Sequence, residues 1–225
     1  MASLPKQLSI DVGKSGKVSG LLIRPAKSIF GYVLAHGAGA GMNHPFMAAV
    51  AEALAERNVA TLRYQFPYME AGGKRPDTPA VAQATIRAAV AAMRQNVPGL
   101  KLIAGGKSFG GRMTSQAQAA EPLEGVSGLA FLGFPLHPAN KPSTTRAEHL
   151  KDIKIPMLFL QGTRDALADQ KELSPVIKAL RKRATLFLVP DADHSFHVPA
   201  RSGKTDKEVL ENMMDELANW GQVLT

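Results

Sequence analysis

Short apolar runs alternate along almost the whole chain with stretches whose apolar residues recur at helical spacing. "VSGLLIRP" reads as a strand that Pro25 ends, and "IFGYVLAH" as a second, so continuously apolar that burial on both faces is expected. "PFMAAVAEALAERN" follows with helical spacing. Pro45 sits where a first turn tolerates proline, and Asn43 is a candidate cap. "VATLRYQF" is the next strand, and "PYMEAGGKRPDTP" a Gly/Pro-punctuated loop. Thr78, as N-cap, and Pro79 open the helix "PAVAQATIRAAVAAMRQNV". The rhythm then repeats. "LKLIAGG" reads as a strand, "SFGGRMTSQAQAAE" as a helix, and "VSGLAFLGF" and "PMLFLQG" as buried strands around the irregular "PLHPANKPSTTRAEHLKDIKI". "ELSPVIKALRK" is a helix, "ATLFLVP" a strand and "KTDKEVLENMMDELANWGQVL" a closing amphipathic helix.

Strands alternating with helices in this way predict the α/β class, a mostly parallel sheet with helices on both faces. No internal repeat, low-complexity tract or linker divides the chain, so residues 1–225 are expected to form one domain. In such sheets chemistry collects in loops beyond the carboxyl ends of the strands, and every motif has to satisfy that rule.

Composition narrows the chemistry. With no cysteine there is no disulfide framework, thiolate metal site or thiol nucleophile. The amino-terminal "MASLPKQLSIDVGKSGK" has no apolar run of signal-peptide length, and no stretch is long enough to span a bilayer, so no membrane role and a cytoplasmic location are expected. A net charge of +8 raises the question of nucleic acid. The Lys and Arg residues are scattered, with only "RKR" and "KR" as clusters, and no aromatic-interleaved basic motif occurs. A solvated basic surface is therefore expected in place of a nucleic-acid site. The six histidines show no H-E-x-x-H or comparable spacing, so no metal is expected.

"AGGKSFGGR" admits two readings. A Walker phosphate loop needs a glycine five positions before Gly106, where Lys101 stands, and "LIAG" between them is strand-like. The other reading is G-x-S-x-G, a sharp strand-to-helix turn that exposes a nucleophilic serine, here Ser108 between Gly106 and Gly110. A serine hydroxyl needs a base and an acid to orient it, in the chain order Ser, Asp/Glu, His. Asp165 stands just past the strand "PMLFLQG" and His194 just past "ATLFLVP". An oxyanion hole would take one N–H from Phe109, after the nucleophile, and a second from the loop "HGAGAG". Ala38 is the assigned donor there, with Gly37 and Gly39 as near alternatives.

The segments "LAHGAGAGMNHPFM", "LRYQFPYME", "GGKSFGGRM", "LQGTRD" and "DADHSF" resemble the small α/β-hydrolase branch related to dienelactone hydrolase, including hydrolase-like proteins one of which is a subunit of a histone-acetylation complex. The resemblance runs from the "HGAGAG" loop to "DHSF". It implies a single-domain α/β-hydrolase with a Ser–Asp–His triad on Ser108, Asp165 and His194, and no cofactor. Dienelactone hydrolases proper use a cysteine nucleophile, which this chain lacks, so diene-lactone specificity is not carried over. Some relatives serve as interaction modules, which leaves a non-catalytic docking role as the alternative to a serine hydrolase acting on a small acyl substrate. The short segment after "VSGLAFLGF" predicts a minimal lid and an open cleft.

The remaining polar residues receive plainer expectations. Asp191 and Asp193 are loop caps, Asp169 a helix start, His197 solvated, and His36 a brace for the glycine loop. His44 has no role. Gly37, Arg63 and Tyr64, with Tyr68 nearby, are candidates to line the substrate cleft. Lys107 is expected to point away from the nucleophile, and His137 and His149 lie in the irregular segment, where they could touch substrate. The acyl group, the leaving group and the oligomeric state are not written in the sequence.

Overall fold

In the computed structural model, which describes residues 4–224, the most continuously apolar strands take the middle of one eight-stranded sheet. The strands are β1 (Lys6–Asp11), β2 (Lys17–Ile23), β3 (Phe30–Ala35), β4 (Val59–Tyr64), β5 (Leu102–Lys107), β6 (Val126–Leu132), β7 (Met157–Gly162) and β8 (Ala184–Val189). Their spatial order is β1-β2-β4-β3-β5-β6-β7-β8. From β4 to β8 all neighbours are parallel, and β1 and β2 add an antiparallel edge. β1 was not marked by the apolar pattern. As an edge strand it buries only Ile10, and so needs no apolar run.

Alternation along β3 shows why its neighbours must be covered on both sides. Val33 and Ala35 enter one core with α3 (Pro79–Asn96), α4 (Phe109–Ala120) and α5 (Gln170–Leu180). Phe30, Tyr32 and Leu34 enter a second core with α1 (Pro45–Glu56) and α6 (Asp206–Leu224). The buried Tyr32 hydroxyl donates to the Ala130 carbonyl at 2.9 Å, so its polar end is not left unmatched in the second core. Arg57, at the end of α1, clamps α6 through Glu211 and Asp215, each at 2.7 Å.

Local details differ from the sequence reading at three points. His44, not Asn43, caps α1: its Nδ1 accepts the Phe46 N–H at 3.2 Å. The loop after β4 contains a short helix, α2 (Pro67–Glu70). Thr78 occupies the N-cap position of α3 without a side-chain cap bond, leaving Pro79 to set the first turn. Asp169 caps α5 as expected, accepting from Lys171 N–H at 2.8 Å.

The segment between β6 and β7 forms no domain-sized cap. It carries a 3-10 stretch, Thr145–Asp152, that packs on α4. There the Ser115 hydroxyl donates to the Arg112 carbonyl at 2.8 Å, and its oxygen is 2.7 Å from His149 Nε2. With its single proton directed at the carbonyl, Ser115 accepts from a protonated Nε2, so His149 serves here as a donor and not as a base. Burial, and secondarily the Arg112 cation, push the His149 pKa down to about 4, against an opposing pull from Asp152.

Two outcomes test this packing. Phe131 is fully buried, 5.2 Å from Phe134 and 4.9 Å from Phe159 between ring centroids. Phe131→Ala is expected to cost about 3–5 kcal/mol, read as a lowered urea midpoint. His149 is neutral when folded and protonates more readily when unfolded. Below its ordinary value of 6.5 the unfolded chain therefore binds the extra proton, and stability falls as pH drops toward 4. His149→Gln keeps an N–H donor that cannot titrate. It is expected to flatten the loss of stability between pH 7 and pH 5 by about 1 kcal/mol after screening at this partly open site. An unchanged slope in paired urea titrations would remove His149 from that role.

Candidate active site

The strand β5 ends at Lys107, and the chain turns at once into α4 with Ser108 at the corner. Ser108 has φ 49° and ψ −114°, a strained backbone for a residue bearing a Cβ. Two glycines make the turn feasible. A Cβ on Gly106 would overlap the Ala35 carbonyl oxygen, and one on Gly110 would come within 2.6 Å of both the Ala35 and His36 carbonyl oxygens. Backbone therefore lies on backbone where β3, β5 and α4 meet.

Three loops bring their side chains to this corner. Ser108 Oγ is 2.8 Å from His194 Nε2, and His194 Nδ1 is 2.7 Å from Asp165 Oδ2. Asp165 has a fully buried side chain, whereas His194 is 24% exposed at the cleft. Three donors hold the buried carboxylate. Gln161 Nε2 donates to Oδ2 at 2.6 Å, Leu167 N–H to Oδ1 at 2.8 Å, and His194 Nδ1–H completes the set. That pattern leaves Nε2 of a neutral His194 as an acceptor toward the Ser108 hydroxyl. Asp193 takes no part in it. Its Oδ1 accepts from Ser195 and His197 N–H and shapes the loop. Asp191 stands at φ 59° in the same loop. His197 is exposed and pairs with Asp206 at 2.9 Å, which raises its pKa.

The glycine loop after β3 faces Ser108. His36 Nε2 accepts the Phe66 N–H at 3.1 Å, which directs its Nδ1–H to the Gly37 carbonyl at 2.7 Å. Burial holds the pKa of His36 below its ordinary value, so it braces the loop as a neutral ring. Gly39 N–H is committed to the Tyr68 hydroxyl at 2.8 Å. Among the described residues the Ala38 and Phe109 N–H groups make no hydrogen bond, and Ala38 is exposed at the cleft. An open cleft of about 300 Å³ is lined by Gly37, Ala38 and Ala40, by the apolar Phe46, Met47 and Leu167, and by Lys107, Ser108 and His194.

Some expected residues lie elsewhere. Arg63 and Tyr64 do not line the cleft, because both belong to β4, which is covered on both faces. Arg63 Nη1 instead donates to the Met42 carbonyl at 3.1 Å and supports the loop after β3. Tyr64 is packed edge-on against Phe66 in the first core. Tyr68 acts through Gly39 and is itself nearly buried. His137 is buried outside the cleft, its Nδ1–H on the Pro138 carbonyl, and His149 is held by Ser115. His44 caps α1 and reaches the cleft. Lys107 turns toward the cleft as well, in contrast to the sequence expectation. Gln161 was missed, although a lone amide in the apolar "MLFLQG" is a visible signal of a buried polar task. Its Oε1 accepts the Phe134 N–H at 2.9 Å while its Nε2 serves Asp165. Among the described residues no group of three or more His, Asp and Glu could hold a metal ion, and no helix is long and apolar enough to cross a membrane.

Comparison with known proteins bears on the fold. The family model described as an alpha/beta hydrolase domain matches residues 30–222. A lidless α/β serine hydrolase from Xanthomonas campestris is 22% identical, with TM-score 0.73 and 96% of each chain covered. A dienelactone hydrolase from Anabaena variabilis is 21% identical, with TM-score 0.73 and 97% of each chain covered. An α/β serine hydrolase homologue from Coxiella burnetii is 16% identical, with TM-score 0.75 over 97% of this chain and 98% of its own. At these identities the likeness is one of fold. With the family match covering residues 30–222, most of its length, the chain belongs to the α/β hydrolase domain family.

Proposed function

We propose that the protein is a serine hydrolase that cleaves an ester or related acyl bond through Ser108, His194 and Asp165. The observation that carries this reading is the unbroken hydrogen-bonded chain from Ser108 Oγ to His194 at 2.8 Å and from His194 to Asp165 at 2.7 Å. His194 Nε2 takes the hydroxyl proton as Oγ attacks the carbonyl carbon. Asp165 fixes the ring through Nδ1–H and stabilises the imidazolium that forms. The Ala38 and Phe109 N–H groups, both without an internal acceptor, receive the negative charge on the carbonyl oxygen. His194 then returns its proton to the leaving group. Water, activated by the same imidazole, releases the acyl group from Ser108.

The cleft favours small acyl groups. Its volume of about 300 Å³ and its Phe46, Met47 and Leu167 surfaces suit a short apolar chain, and its openness gives a long one little to bury against. Turnover of p-nitrophenyl acetate and butyrate is expected to exceed that of the dodecanoate by about tenfold or more in kcat/KM.

The test of the triad is labelling by a fluorophosphonate, followed by intact mass, beside ester turnover. Ser108→Ala is expected to abolish labelling. His194→Ala and Asp165→Asn are expected to lower kcat by roughly 10³–10⁶-fold while leaving the urea midpoint within reach of the wild type. A folded wild type that neither labels nor turns over any ester, while a known serine hydrolase does both in the same buffer, would sink the reading. A docking module built on this fold would then stand in its place.

A further inference from the structure

We propose that Lys107, the residue before the nucleophile, is a positioning residue for His194: it ties the histidine loop to the serine turn and keeps a cation beside the imidazole. The inference rests on the serine-hydrolase reading of the same site.

The geometry is specific. Lys107 Nζ donates to the backbone carbonyl of His194 itself. The ammonium lies 5.0 Å from the centroid of the Phe196 ring and 6.0 Å from that of Phe46, and the two rings are stacked at 5.9 Å. The ammonium thus lies beside the paired rings, within cation–π reach of each. It also lies beside the imidazole. A methyl built on Gly133 would stand 3.0 Å from Nζ and 3.5 Å from His194 Cε1 and Nδ1. The absence of a side chain at Gly133 is what lets the two groups approach. Because Lys107 and Ser108 are adjacent in the chain, one peptide unit fixes both the nucleophile and the support of its base.

Charges facing Nζ come from two loops. The Asp165 and Asp193 carboxylates both favour the ammonium, while the larger influence, burial, opposes it and pulls the Lys107 pKa down to about 8. The His194 ring lies alongside, and His44 lines the same cleft. An ammonium this close raises the cost of placing a second positive charge in the same spot. Two unit charges at such separations in partly solvated protein shift a titration by about one pH unit.

The experiment is the rate of fluorophosphonate labelling from pH 5 to 9.5 for the wild type, Lys107→Met, Lys107→Arg and Ser108→Ala. In Lys107→Met the acidic limb is expected to move up by about one unit. Labelling would then be about tenfold slower than wild type at pH 6, and the difference would close by pH 9, where Lys107 is itself largely neutral. Lys107→Arg, which keeps the charge and a donor, is expected to restore the wild-type limb. A loss by the same factor at every pH, or a limb that does not move, overturns the electrostatic role and leaves the triad reading intact. No labelling of a folded wild type at any pH removes the triad reading instead. Should Lys107→Met fail to fold, the His194 ring resonances of Ser108→Ala give an answer without it. They are expected to show a second inflection near pH 8 as Lys107 loses its proton, and a single step through that range overturns the inference.

Discussion

Everything at the candidate site depends on how closely the backbone of α4 lies against the ends of β3 and β5. Gly110 meets the Ala35 and His36 carbonyls, and Gly106 meets Ala35 from the other side, so Ser108 is held in a conformation a free chain would rarely visit. That strain, of about 1–3 kcal/mol, persists because the flanking strands are among the most buried in the molecule. The same contact brings the glycine loop of β3 opposite the first turn of α4. Two unbonded N–H groups therefore flank one hydroxyl. Loosening the contact would disturb Ser108 and its neighbours together.

Around this rigid corner the polar groups are ordered by burial. Asp165 is sealed off and held by Gln161, Leu167 and His194, while His194 remains open to the cleft. A carboxylate with no solvent of its own must keep its donors, and so it dictates the tautomer of the ring above it. His36 repeats the device on the other side of the cleft, neutral and fixed by Phe66 and Gly37. Fixed hydrogen-bond directions thus reach the corner from β3, β7 and β8 at once. The cleft between them needs little adjustment before a ligand arrives.

Much of this was legible in the sequence, for identifiable reasons. Central strands such as "IFGYVLAH" and "MLFLQG" are apolar on both faces because helices cover both, and that signal is strong. Ser108 and Asp165 each follow such a strand and His194 follows the edge strand β8, so the topology converts chain positions into one neighbourhood. The edge strand β1 lacked the signal because water covers most of it. Arg63 and Tyr64 were misplaced because polar residues at a strand's carboxyl end look the same whether they line a cleft or brace a loop. Only the path of the chain beyond Tyr64 decides. Lys107 was misread because a lysine usually seeks solvent. Nothing local announces that Phe46 and Phe196, from distant segments, will stack beside it.

The order of the strands along the chain also bears on how the molecule is made. By the time a ribosome has released residues up to the end of α4, the strands β1 to β5 can pair and the serine turn can form, because β3, β4 and β5 are already neighbours. Asp165 comes later, after β7, and His194 later still, after β8 at the far edge of the sheet. A nascent or truncated chain thus presents the hydroxyl without the imidazole. The hydroxyl meets the imidazole only when the last strand has added itself to the sheet. Completion of the sheet and assembly of the three side chains become the same event.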